Sequence, residues 1–350
     1  MSGYTNYTPP IEAVKEQADA ISSQYFDNTL RKVVYQESVL LKRMLANNKL
    51  KVKGGRVIQW PLRVSELGTA QAVDPRVALT FQTADTRKAA QLNWKFYYAT
   101  TFINWDEILE NQGKPQLVDL IKDKTTEIKE DMTERLILDL YDGGAQNEMK
   151  ISSLSTVIND GEYAGIDPDA DLSDPTRWKS HVFSPAQEQA LGFYTAPENG
   201  VSLAEIINKA TFNDEKPSLI ITTEDIYTAI EQYLENKRQV TKSNELQNMG
   251  YDNVKFKGVP IVADKRCPAK TMFGINEKRL ELTIHPQYDM AVSKWEAHEQ
   301  WPNSLFKSMS FAGNLRADTR HTHFKITNIG DVESGVVPVV VHANIGGGEE

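Results

Sequence analysis

One stretch constrains the fold of this chain more than any other: residues 116 to 141, QLVDLIKDKTTEIKEDMTERLILDLY. Leu117, Ile121, Ile128, Met132, Leu136 and Leu140 recur at four- and seven-residue steps, while Lys122, Asp123, Lys129, Glu130 and Glu134 fall elsewhere on the wheel. The spacing predicts one long amphipathic helix. Pro115 suits its first turn, where the missing N–H is not needed, and Gly143-Gly144 supply the positive φ that ends such a helix. At the helical rise it runs roughly 40 Å, beyond an average globular helix. Two readings fit: a beam that holds other parts in position, or an ordinary core helix.

The rest of the chain supplies material for such a beam to organise. Its 350 residues are enough for a substantial core and for two or more lobes. Hydrophobic content of 40% and charged content of 25% are those of a soluble globular protein. The formal charge of −9 argues against a chain whose main business is gripping phosphate backbones. Cys267 is the only cysteine, which rules out an intrachain disulfide and a cysteine-rich metal site. No basic segment followed by an apolar run opens the sequence, and no stretch nears the roughly 18 apolar residues that span a bilayer. These features fit a protein made and folded in a cytoplasm, with no membrane partner.

Taken in order, residues 1 to 30 read as an extended arm, with Ile11, Val14, Ala18 and Ile21 giving a weak helical stripe. Residues 29 to 45 are more strongly helical. In GGRVIQWPLRV, Ile58, Trp60, Leu62 and Val64 alternate with Val57, Gln59, Pro61 and Arg63, and Leu92, Trp94, Phe96, Tyr98 and Phe102 repeat the pattern. Between them, residues 65 to 86 are too polar for a core. The pair reads as a long two-stranded arm that gains stability by lying on another surface, with Pro61 suited to an exposed edge. Residues 143 to 200 are turn-rich. A helix at 202 to 210, a strand at 218 to 221 and a helix from Thr222 or Thr223 to about Asn236 then indicate an α/β lobe. Residues 324 to 342 read as two closing strands.

Several constellations have residue types that could carry chemistry. Asp167, Asp169, Asp171 and Asp174 have the odd spacing of a calcium loop, but Leu172 and Trp178 stand where that motif needs Gly and a bidentate Glu, so a solvated acidic turn is the better reading. His321 and His323 fall on one side of a strand, a metal-binding spacing without a third ligand nearby. Cys267 has Lys265 and Arg266 beside it but no histidine close in sequence, which favours an inert core residue over a nucleophile. The chain has no nucleophile elbow, phosphate loop, zinc-protease helix or dinucleotide fingerprint. Trp94, Phe96, Tyr97 and Tyr98 read more simply as a buried sheet face than as a base-stacking platform. No catalytic, cofactor or metal residue is assigned.

The order of parts resembles the major capsid proteins of tailed bacteriophages, the Hong Kong 97 type of shell subunit. The likeness is carried by PSLIITTEDIYTAIEQYL and VKFKGVPIVADKRCPAKTMFGINEKRLEL, with Gly258, Pro260, Ile261 and Asp264 in a turn and Phe273, Ile275 and Asn276 in the next strand. Tyr163, Gly165, Ile166 and Trp178 resemble a further common segment. The resemblance implies an α+β, Hong Kong 97-like capsid fold. Its parts would be an N-terminal arm (1–35), a helical lead-in (36–50), an extended two-stranded loop (51–103), a peripheral domain with a long spine helix (104–144), a compact axial domain (145–275), and a return to the peripheral domain with a tail (276–350). It implies a subunit that self-assembles into pentameric and hexameric capsomers of an icosahedral shell in the bacterial cytoplasm and resides in the virion. Double-stranded DNA would be packaged without sequence-specific binding. Separate scaffolding, portal and decoration proteins would be partners, because the stretch before the loop is too short for a built-in scaffold. No cross-linking lysine–asparagine pair is placed. On this account the loop, through Ile58, Trp60, Leu62, Trp94 and Phe96, lies over an adjacent subunit, and the arm crosses it with Ile11, Val14 and Ile21. The rival readings are an encapsulin-like compartment, a connector or tail ring, and an α/β enzyme built from residues such as Asp225, His285 and Asp289.

Overall fold

The computed structural model describes residues 15, 18–19, 38–63, 65, 86–110, 114–141, 149–172, 174–194, 196–197, 200–236, 254–297 and 304–333. The long helix spans Lys114–Tyr141, 28 residues, with Pro115 in its first turn. Ile121, Ile128, Met132, Leu136 and Leu140 are buried, as the periodicity predicts, and Ile137 and Tyr141 join them. The opposite face carries Asp119, Asp123, Glu127, Glu130, Asp131 and Glu134, all exposed.

Beneath this helix lies a sheet built around one 14-residue strand, Ser304–Ala317. Strand Lys95–Asn104 pairs with it antiparallel from Asn104 opposite Ser304 to Lys95 opposite Gly313. Strand Leu280–Ile284 continues the other end, with Leu50–Val52 parallel beyond it. The pairing corrects the sequence reading. The hairpin partner of Ile58–Arg63 is Arg87–Leu92, with Ile58 opposite Leu92 and Arg63 opposite Arg87, so residues 95 to 104 belong to the long-strand sheet. The face choice is also inverted: Tyr97, Thr101 and Ile103 point into the core, and Phe96, Tyr98 and Phe102 point out. Polar anchoring explains the inversion. The Tyr97 hydroxyl donates to Asp139 of the long helix at 2.9 Å and accepts the Ile151 N–H at 2.9 Å. A one-residue slip would break both bonds.

A second, mixed sheet runs in the order His181–Phe183, Phe324–Ile326, Met272–Ile275, Leu219–Thr222, Val259–Ala263, Val254–Phe256. Leu219–Thr222 is buried at every position, and helix Glu224–Asn236 follows it at once. The predicted helix at 202 to 210 is Leu203–Lys209, capped by the Ser202 hydroxyl, which accepts from Glu205 N–H. The turn around Gly258 is a two-residue hairpin between Phe256 and Val259, with Lys257 and Gly258 both at positive φ, the geometry of a primed turn. Ala164-Gly165 makes the same kind of reversal between Tyr163 and Ile166. The closing strands are Phe324–Ile326 and Ile329–Glu333.

The hydrophobic interior divides accordingly. One core joins the long helix, the long-strand sheet, the hairpin and one face of the mixed sheet through Leu219, Ile221, Val262, Phe273 and Ile275; another fills the space between the other face of the mixed sheet and its helices. A small third cluster gathers Ile103, Ile108, Ile121, Trp295 and Leu305 around Ala18. Asp19 fixes that point of the N-terminal segment by accepting the Trp295 N–H at 2.8 Å.

Candidate assembly surfaces

The residues expected to meet a neighbour fall into three groups. Ile58, Trp60 and Leu62 are covered by their own chain, at 3%, 5% and 8% exposure. Trp94 is half-buried, its indole N–H donating to the Gly55 carbonyl at 2.8 Å and its ring edge-on to His285. Phe96 is half-exposed, edge-on to Tyr288. Ile11, Val14 and Ile21 lie outside the described residues. Together with Tyr98 and Phe102, Phe96 forms an outward aromatic row on alternate positions of one strand, a surface the alternation marks but assigns to the interior.

Where the hairpin base meets the end of the long strand, a cleft of about 530 Å³ opens. Its lining carries five cations, Lys53, Arg63, Arg177, Arg279 and Arg316, against one carboxylate, Asp318. Arg316 is buried, donating to Glu281 at 3.0 and 2.5 Å, meeting Asp318 at 3.3 Å and lying over the Trp60 ring at 5.3 Å. Arg279 pairs with Glu215, whose carboxyl it holds below the usual range, chiefly by hydrogen bonding. Arg177 pairs with Asp174 at 3.4 Å. Lys53 and Arg63 are exposed and face no carboxylate among the described residues.

The acidic turn is consumed by its own structure. Asp167 caps helix Pro168–Asp171, Asp174 caps the turn at Pro175–Arg177, Asp169 pairs with Lys179 and Asp171 with Lys88. Hydrogen bonding from Lys88 holds the Asp171 carboxyl below its ordinary value. Among the described residues no group of three or more His, Cys, Asp or Glu is placed to hold a metal, and no helix is long and apolar enough to cross a membrane. Burial pushes the Cys267 thiol up to about 12, leaving it protonated at neutral pH. Asp225 is exposed on the helix beside the mixed sheet, whereas His285 and Asp289 follow Leu280–Ile284 of the other sheet.

His321 and His323 sit in the turn before Phe324–Ile326, not along a strand. His321 Nδ1 contacts the Arg177 carbonyl at 3.1 Å, and His323 Nδ1 accepts the Asn276 N–H at 3.1 Å. Burial pushes His323 down to about 3. Between that value and the ordinary histidine range the unfolded chain binds a proton that the folded chain refuses. Its contribution to stability is therefore present above about pH 6.5 and is lost as pH falls toward 3. The expected loss at pH 5 is about 2 kcal/mol. His323→Gln should flatten the fall in melting temperature between pH 7 and 5, whatever its stability at pH 8; an unchanged slope would assign the titration elsewhere.

Three buried polar links tie these surfaces to the two sheets. Tyr141 at the end of the long helix donates to Asp264 at 2.8 Å. Arg43 donates through Nε and Nη2 to both oxygens of Glu277, at 2.5 and 2.8 Å. Arg320, fully buried, donates to the carbonyls of Val157 and Gly161 at 2.8 Å and to that of Asn159, and lies over the rings of Tyr163 and Trp178 at 5.2 and 5.6 Å. Burial pushes it down to about 10, still protonated at neutral pH.

No protein-family model and no curated protein sequence matches the chain. Solved structures do. The capsid subunit of cyanophage A-1(L) is 19% identical at a TM-score of 0.55, over 81% of this chain and 90% of that one. The capsid of Myoviridae phage XM1 is 10% identical at 0.51, over 82% and 92%. The holo-SrpI encapsulin of Synechococcus elongatus is 10% identical at 0.53, over 85% and 91%. At such identities the likeness speaks for the fold: this α+β chain has the tailed-phage capsid fold.

Proposed function

We propose that this protein is the major capsid protein of a tailed DNA bacteriophage, self-assembling into an icosahedral shell and acting by association instead of catalysis. The observation that carries the reading is the match to the cyanophage A-1(L) capsid subunit over most of both chains. The residue-level support is the outward row Phe96, Tyr98 and Phe102, at 50%, 64% and 49% exposure, which a lone subunit leaves in water. A closed shell needs a subunit that keeps its shape in near-equivalent settings. Here the long helix, its sheet and the buried polar links supply the rigid body, and weak contacts sum once many close together. The other partners expected on this reading are capsomer-forming copies, a separate scaffold, a portal, decoration proteins and packaged DNA. The chain's negative charge would let that DNA slide along an inner wall.

The likeness to an encapsulin, nearly equal in TM-score, supports a second reading as a cargo-holding compartment. Electron microscopy of protein expressed alone and with a scaffold tests both. Closed particles are expected, and tails or DNA against protein cargo separates the two; rings, tubes or a persistent monomer would overturn both. Deleting residues 66 to 86 should leave a folded subunit and greatly impair particle formation. Normal particles from that deletion would remove the hairpin tip from the lattice contacts.

A further inference from the structure

The basic cleft carries donors that its own chain leaves unused. Arg316 Nη1, Trp60 Nε1 and Thr319 Oγ1 are buried and have no hydrogen-bond partner among the described residues, and all three side chains line this one cleft. Arg316 and Trp60 are 6% and 5% exposed, so each orphaned donor carries a desolvation cost that an incoming acceptor would relieve. With Lys53 and Arg63 at the rim facing no carboxylate among the described residues, the cleft is suited to an anionic acceptor, and a row of carboxylates would supply one.

The same chain exposes a matching surface. On the long helix, Asp123, Glu127, Glu130 and Glu134 follow one another at steps of three or four residues, with Asp131 beside them. Only Glu127 of these has a cation nearby, Lys124 at 3.9 Å, and the other four have none among the described residues. This ridge does not reach the cleft of its own subunit. The helix runs alongside the long strand, with Ile121 near Leu305 and Asp139 bonded to Tyr97, which packs on Phe311. No residue of the long helix lines the cleft, and the path along helix and strand from Glu134 to Asp139 and from Phe311 to Arg316 is roughly 24 Å.

We propose that the cleft of one subunit receives the acidic ridge of the long helix of a second copy. Two different patches on one chain make a heterologous, head-to-tail contact, which closes into rings where the rotation permits. The inference rests on the shell reading, because it names one of the contacts by which copies would join. Charge pairing across such a rim speeds encounter and weakens with salt.

Charge reversal tests it. One chain carries Glu127→Lys, Glu130→Lys and Glu134→Lys; another carries Lys53→Glu and Arg63→Glu. Each is expected to melt as the parent does and to lose particle yield at least tenfold. In an equimolar mixture of the two each ridge is complementary to the cleft of the other chain, so alternating contacts should regain association by sedimentation velocity. Parental yield from either reversed chain, or a mixture that associates no better than its components, overturns the contact. So does a cleft-reversed chain that assembles normally but loses bound nucleic acid, which would assign the cleft to phosphate. Association of the mixture without closed particles from any chain would keep the contact and remove the shell reading. Closed particles from all chains alike would do the reverse.

Discussion

Arg320→Ala is expected to lower the stability of this protein by about 3–5 kcal/mol, read as a drop in the urea midpoint or melting temperature. The guanidinium is the donor for three carbonyls at once, those of Val157, Asn159 and Gly161, and it fills the gap between Tyr163 and Trp178. Truncation removes the guanidinium donor from the buried Val157 carbonyl and the part-buried Gly161 carbonyl, while Asn159 keeps the Ser180 N–H, and it opens a void between two rings. Arg320→Met separates the two effects. Methionine refills the volume and stacks sulfur on the rings, but donates nothing, so it should recover the packing share alone. Arg320→Lys should recover little more, since one ammonium cannot present a planar fork to three acceptors. A Met variant as stable as the parent would mean that the three carbonyls do not need this donor.

That arginine also marks the boundary of what sequence alone discloses. Tyr163, Gly165, Ile166 and Trp178 stand out as a segment, and the fold uses all four, in a primed turn at Ala164-Gly165 and in two packed rings. Nothing local ties them to Arg320, which reaches back 163 positions to the Val157 carbonyl. The long helix is legible because apolar residues at helical spacing leave one packing solution. The strand at 95 to 104 misleads because its apolar sum favours Phe96, Tyr98 and Phe102, whereas its burial is decided by Asp139 and Ile151, partners that only the folded chain brings to Tyr97. The same logic governs the surfaces. The aromatic residues of the hairpin announce apolar faces without saying who covers them, and the chain itself covers Ile58, Trp60 and Leu62. The cleft has no sequence signature, since its cations come from separate stretches scattered between Lys53 and Arg316.

Glu277→Ala should cost a comparable amount, about 3–5 kcal/mol, for a different reason. Glu277 lies between Met272–Ile275 of the mixed sheet and Leu280–Ile284 of the long-strand sheet, at the point where the chain passes from one to the other. Its carboxylate accepts both guanidinium donors of Arg43 from helix Val39–Ala46, the Asn47 amide at 3.3 Å and the Ser218 hydroxyl at 2.7 Å. Removing it strips a guanidinium that is 8% exposed of the carboxylate facing it, and frees the lead-in helix from the crossover. Desolvation of two charges offsets much of their attraction, so the double variant Arg43→Met with Glu277→Leu should lie within about 1–2 kcal/mol of the parent. The cycle therefore predicts a large coupling between two individually damaging changes. If the double variant falls by the sum of the singles, the two side chains act independently and the crossover is held by something else. If it recovers stability but yields misassembled particles, the pair is kept for the angle it sets between helix and sheets. On the shell reading proposed above, that angle sets how neighbouring copies meet.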